Sequence, residues 1–149
     1  MIALANNNLK AVSLMRRLIL ALITTTAFSG CALWDAYMMA PYDANEYLLI
    51  VEVRALASQY KKQCDNPILA SVNAQAIANK TDLYEKYVEQ IPRNQNGFKT
   101  AQALNEITQG LATAYTKGTV SATFCRLKYN NIEHSAELIQ RVTASKPRK

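Results

Sequence analysis

Glycine and proline are scarce, four of each in 149 residues, and histidine occurs once. So few turn formers argue against the many close reversals of an all-β domain and favour long helices with short connections. No stretch is rich enough in Pro, Gly or Ser to read as a linker or low-complexity repeat. Familiar catalytic constellations are missing as well: there is no GxSxG, no HExxH, no phosphate-cradling Gly-rich loop and no Cys/His metal cluster. His134, the lone histidine, has no nucleophile or second ligand at a recognisable spacing. Glu85 and Glu89 are spaced to share a helix face, as an acid/base pair would, but with Lys86 close by they read as solvated helix surface. The expectation is a protein that is not an enzyme and needs neither cofactor nor metal.

Acidic residues are missing from the N-terminal stretch. The first of the eleven acids is Asp35, whereas Lys10, Arg16 and Arg17 all precede it. From Cys31 onward fourteen bases face eleven acids, and Lys146, Arg148 and Lys149 crowd the last four residues. Between Cys31 and Ser145 the signs balance at eleven each, so the formal charge of +6 belongs to the two ends. It does not point to a nucleic-acid-binding face. Residues 146–149 read as a solvated basic tail, or as a contact for anionic headgroups beside a membrane.

What is present is a secretion address. Met15-Arg16-Arg17 leads into Leu18 to Ala27, rich in Leu, Ile, Ala and Thr, and then into Phe28-Ser29-Gly30-Cys31. An apolar run of about ten residues is too short to span a bilayer, and a positive start with small residues before the Cys makes a signal peptide. The segment resembles the lipobox of bacterial lipoproteins, with Phe28 in place of the usual Leu. That resemblance implies that the Cys31 thiol receives a diacylglycerol and that the chain is cut just before it. Residues 1–30 are then the signal peptide, with Met15 as an alternative start, residues 31–42 a lipidated tether and residues 43–145 the domain. Two or three acyl chains give a permanent anchor. Ala32, rather than Asp, after the lipidated Cys implies the periplasmic face of the outer membrane.

With Cys31 acylated, Cys64 and Cys125 remain as a pair in an oxidising compartment, where a disulfide is the expected state and two separate buried thiols the alternative. The first helix has a legible start. Asp43 is the N-cap, Glu46 the capping-box partner, and Tyr42 with Tyr47 a hydrophobic staple. The helix should run to about Gln63 with Leu49, Val53, Leu56 and Tyr60 on its core face. The apolar run Leu48 to Val51 suits a strand too, but the cap and the helix formers from Arg54 to Lys62 favour helix. Leu48, Ile50 and Val51 are surplus to that face and are the candidate partner-binding residues.

Asn66-Pro67 opens a second helix, with Leu69, Val72, Ala76, Leu83, Tyr87 and Ile91 inward and a break expected near Lys80-Thr81. A third, from about Gly97, places Ala101, Leu104, Ile107, Leu111 and Ala114 inward. Gly110 within it marks a close helix contact, and Gly118 a left-handed stop. The fourth, capped by Thr119 or Ser121, carries Phe124, Leu127, Ile132, Ala136, Ile139 and Val142. The fold class is all-α, an up-down four-helix bundle with one disulfide, in which the end of the first helix meets the beginning of the fourth.

That layout is similar to the helical pilotins of type II secretion systems, outer-membrane lipoproteins with a four-helix domain and one disulfide. The likeness rests on Arg54-Ala55-Leu56-Ala57-Ser58-Gln59-Tyr60-Lys61-Lys62-Gln63-Cys64, on Gln109-Gly110-Leu111 and on Cys125-Arg126-Leu127-Lys128-Tyr129-Asn130. It spans most of residues 43–142 through short motifs. It implies a domain that binds a helix of a secretin subunit and escorts that subunit to the outer membrane. A phage- or plasmid-encoded exclusion lipoprotein, blocking a receptor or injection machinery from the periplasmic side, is the alternative.

Overall fold

The computed structural model describes residues 39–148. Cys31, the signal segment and the first part of the tether lie outside them. Four helices follow in order: α1 (Ala44–Lys61), α2 (Pro67–Glu89), α3 (Gln95–Lys117) and α4 (Ala122–Ala144). They pack as antiparallel neighbours, with extensive α1–α4 and α2–α3 seams and sparser α1–α2 and α3–α4 seams. Among the described residues no helix is long and apolar enough to cross a membrane.

Local chemistry sets the helix starts. The Asp43 carboxylate accepts from the Glu46 amide at 2.8 Å, the Asn66 side chain from the Leu69 amide at 3.1 Å and the Ser121 hydroxyl from the Phe124 amide at 3.2 Å. Each satisfies one of the amides that a helix N-terminus leaves without an intrahelical partner. Tyr42 and Tyr47 form the staple, ring centroids 6.0 Å apart. Arg93, at φ 63°, takes the left-handed turn that reverses α2 into α3. Gly118 does end α3, but at φ 156° and ψ −167° it occupies a region essentially reserved for glycine, not the left-handed helical one.

The core faces differ from the expected stripes, and the difference is systematic. On α1 the buried line is Glu46, Ile50, Val53 and Ala57, with Leu49, Leu56 and Tyr60 at its edge. On α2 it is Ala70, Ala74, Ile77, Thr81, Tyr84 and Val88, while Leu69, Val72 and Leu83 point outward. On α4 Cys125, Tyr129, Ile132 and Ala136 are buried, whereas Phe124, Leu127 and Val142 are exposed. Alanine and threonine allow helices to approach closely where leucine does not, and on α2 the face with Ala70, Ala74, Ala78 and Thr81 turns inward although larger apolar residues lie beside it. On α3, Ala101, Leu104 and Leu111 are buried as expected.

No break interrupts α2, because Thr81 turns its hydroxyl onto the carbonyls of Ile77 (3.1 Å) and Ala78 (3.0 Å) and meets the Thr108 hydroxyl of α3 at 2.5 Å. The interior thus accepts a polar side chain without leaving it unpaired. Gly110 marks no close contact: a Cβ there would meet nothing within 4 Å.

Cys64, just past α1, is bonded to Cys125 in the first turn of α4, with Cα atoms 5.8 Å apart. Beside it Arg126 donates to Asp65 at 2.8 Å. Closing the intervening chain, a separation of 61 residues, restricts the unfolded state. On the chain-entropy model this stabilises the fold by about 4 kcal/mol. Replacing both cysteines by serine should lower the unfolding free energy by about that amount in urea titrations. Gly110→Ala should raise it by about 1 kcal/mol, since alanine gains helix propensity at no steric cost.

Candidate functional site

At the pole opposite the disulfide, three chain segments converge on a buried polar cluster. Glu46 lies in the first turn of α1, Asn94 at the start of α3 and Lys146 just past α4, and none is more than 7% exposed. The Lys146 ammonium donates to both Glu46 oxygens, at 2.8 and 2.6 Å, and to the Asn94 carbonyl at 2.9 Å. The Asn94 amide donates to Glu46 Oε1 at 3.1 Å. All three ammonium hydrogens thus have acceptors, the condition under which a buried charge pair is tolerated. Gly97 makes room for it, because any Cβ there would run into the Asn94 amide.

This cluster corrects two expectations. The Glu46 side chain does not close a capping box on the backbone of Asp43, because the buried ammonium competes for the same oxygens. Nor is Lys146 part of a solvated tail. The tail stays attached beyond it: Pro147 accepts from the Tyr42 amide at 2.9 Å, and the Arg148 guanidinium lies 5.1 Å from the centre of the Tyr42 ring. Both ends of the described chain therefore leave the bundle at one pole. Sequence reasoning found Glu46 for its cap and missed this role, since nothing local announces a partner 100 residues away.

The titratable residues weighed in the sequence do not come together. His134 is exposed, Glu89 is exposed, and Glu85 accepts from Asn105 of α3 at 2.5 Å. Among the described residues no group of His, Cys, Asp and Glu is placed to hold a metal. Burial pushes the Tyr84 and Tyr129 hydroxyls well above the ordinary tyrosine value, Tyr84 also through the negative charge of Glu46 and Tyr129 through its neighbours Tyr115 and Tyr60. These hydroxyls have no hydrogen-bond partner in the structure. They belong to the desolvated core.

What remains is surface. Leu48 is 57% exposed and available to a partner, and Val51 is half-buried. Ile50 is wholly enclosed by the core, so it cannot line a groove: the helix turns it inward between Glu46 and Val53. The surplus apolar side chains lie elsewhere. Glu52 of α1 forms an ion pair with Lys80 of α2, and one turn away Leu48 and Leu83 flank that seam. Leu69 and Val72 continue the exposed apolar line along α2. A second line, Phe124, Leu127, Leu138 and Val142, runs along α4. No protein-family model, curated protein or solved structure matches the chain.

Two outcomes test this geometry. Lys146→Met strands the Glu46 carboxylate in the interior and should cost about 3 kcal/mol or more in unfolding free energy, whereas Glu46→Leu with Lys146→Met should recover most of it. Recovery absent from that double-mutant cycle would show that the pair is not coupled. In alkaline titration, Tyr84 and Tyr129 should stay protonated well above the ordinary tyrosine value. Their raised folded-state pKa means that stability holds below the unfolded value, about 10, and is lost as pH rises beyond it. The last phenolate absorbance should therefore appear together with loss of helical circular dichroism.

Proposed function

We propose that this chain is a bacterial lipoprotein, acylated at Cys31 and held at the periplasmic face of the outer membrane, where its domain binds a protein helix as pilotins bind a secretin subunit. The observation that carries the reading is Phe28-Ser29-Gly30-Cys31 behind a short apolar run with a basic start. The Cys64–Cys125 bond agrees with an oxidising compartment. Between Cys31 and Met39 the backbone reaches at most about 28 Å, so a lipid on Cys31 keeps the domain close to the membrane.

Support for a helical protein partner comes from the exposed apolar lines. Side chains such as Leu48, Val72, Leu83, Leu127 and Val142, all half exposed or more, form rows at helical spacing. Rows of this kind mark interaction surfaces, and an amphipathic helix is the element that matches their period. A tethered domain also confines its partner to one surface, raising the local concentration there.

Labelled palmitate should enter the wild-type protein and not Cys31→Ser; equal labelling of the two rejects the anchor. Leu48→Glu should leave the thermal midpoint within about 2 °C, as expected for an exposed position. Ile50→Glu, which buries an unpaired charge, should unfold the domain.

A further inference from the structure

The α3–α4 flank combines exposed apolar residues with an unbalanced charge. Phe124, Leu127, Leu138 and Val142 of α4 recur at a spacing that keeps them on one side of the helix, and they are 40%, 58%, 49% and 59% exposed. Lys99, Ala103, Glu106, Gly110, Ala114 and Lys117 of α3 share a face in the same way. The seam between these helices is one of the two sparse ones. Over Gly110 there is open space, as nothing lies within 4 Å of a Cβ built there.

The acids of α4 are used on its other side. Glu133 pairs with Lys61 at 2.6 Å and Glu137 with Arg54 at 3.5 Å, both across the α1 seam. On the α3 flank this leaves Lys99 and Lys117, with Lys128 over the Phe124 ring at 5.4 Å, and among the described residues none of the three has a carboxylate partner. Glu106 is the single acid on this face of α3. The α1–α2 flank is different, because there Lys80 is matched by Glu52.

We infer that the α3–α4 furrow is the docking site for an amphipathic helix of another protein, with an apolar seam and acidic flanks. The inference rests on the helix-binding reading and names its site and chemistry. A furrow between two 23-residue helices is about 35 Å long and suits a rod of up to about six turns. Apolar anchors at helical spacing would cover Leu127, Leu138 and Val142, and carboxylates beside them would reach Lys99, Lys117 and Lys128. A second copy of this chain fits poorly, since a symmetric contact through this flank sets lysine against lysine.

The test uses the full chain in zwitterionic nanodiscs and two synthetic helices of about five turns with the same leucine seam, one flanked by Glu and one by Lys, read by fluorescence anisotropy. The Glu-flanked helix should bind about tenfold tighter or better at low salt, with the gap narrowing as salt rises. Leu127→Glu and Leu138→Glu should each weaken it about tenfold or more at an unchanged thermal midpoint. Gly110→Leu, which adds bulk where a Cβ meets only open space, should do the same, and Leu48→Glu should not. Equal affinity for the two helices overturns the inference. So does binding lost with Leu48→Glu and kept with Leu127→Glu, although helix binding itself then stands, at the other furrow. Lysine-dependent adsorption to phosphatidylglycerol vesicles without any peptide preference reassigns the flank to a lipid surface. No peptide bound at either furrow overturns both the inference and the helix-binding reading.

Discussion

The Lys146 ammonium can reach Glu46 only if the chain past α4 folds back over the bundle end and Asn94 closes the third side. Burying two full charges is costly, and an interior contact repays it only when every hydrogen and lone pair is engaged. That condition ties three segments far apart in sequence: the beginning of α1, the reversal between α2 and α3, and the C-terminal residues. Tyr42, Pro147 and Arg148 then lie over the same pole. The disulfide at the far end pins the end of α1 to α4, so the α1–α4 pair is held at both poles. The α2–α3 pair is held at one pole by Asn94 and along its length by the Thr81–Thr108 seam.

Sequence and structure agree wherever the controlling interaction is local. Asp43, Asn66 and Ser121 cap their helices because a cap is decided by a side chain and an amide three residues on. Cys64 and Cys125 were legible for another reason: with Cys31 set aside as the expected lipidation site, the two remaining thiols have few alternatives. The core faces were not legible in the same way. Ranking residues by apolar size selects Leu69, Val72 and Leu83 on α2, yet the helix buries Ala70, Ala74 and Ile77 one position round. Helix separation, not side-chain hydrophobicity, makes that choice, and separation is a property of the partner helix. Ile50 went the opposite way for the same reason. A core stripe drawn through Leu49 leaves Ile50 outside it, yet the helix buries Ile50 and leaves Leu49 at the core's edge.

An alanine-rich interior has a consequence for the outside. When small residues face inward, the large apolar ones that the same helices carry are displaced to the flanks, where they lie exposed in rows. Burying such a row against a partner gains roughly 25 cal/mol per Å² of apolar surface. The packing that makes the bundle compact is therefore also what leaves it two exposed apolar flanks, and their charge separates them. Across the α1–α2 seam Lys80 is neutralised by Glu52, while along α3–α4 Lys99, Lys117 and Lys128 form no ion pair among the described residues.

The disulfide bears directly on the second flank. Cys125 stands between Phe124 and Leu127, in the first turn of α4, so the bond to Cys64 fixes the rotation and height at which those two side chains are presented. Under the proposed docking, that end of the α3–α4 flank would be set before a partner arrives, which would remove part of the ordering cost of binding. The opposite end of the furrow, at Val142, is three residues from Ser145 and thus close to the Lys146 cluster. A helix lying along α3–α4 would consequently run between the two covalent and ionic fastenings of the bundle, on the stretch whose backbone each of them holds in place.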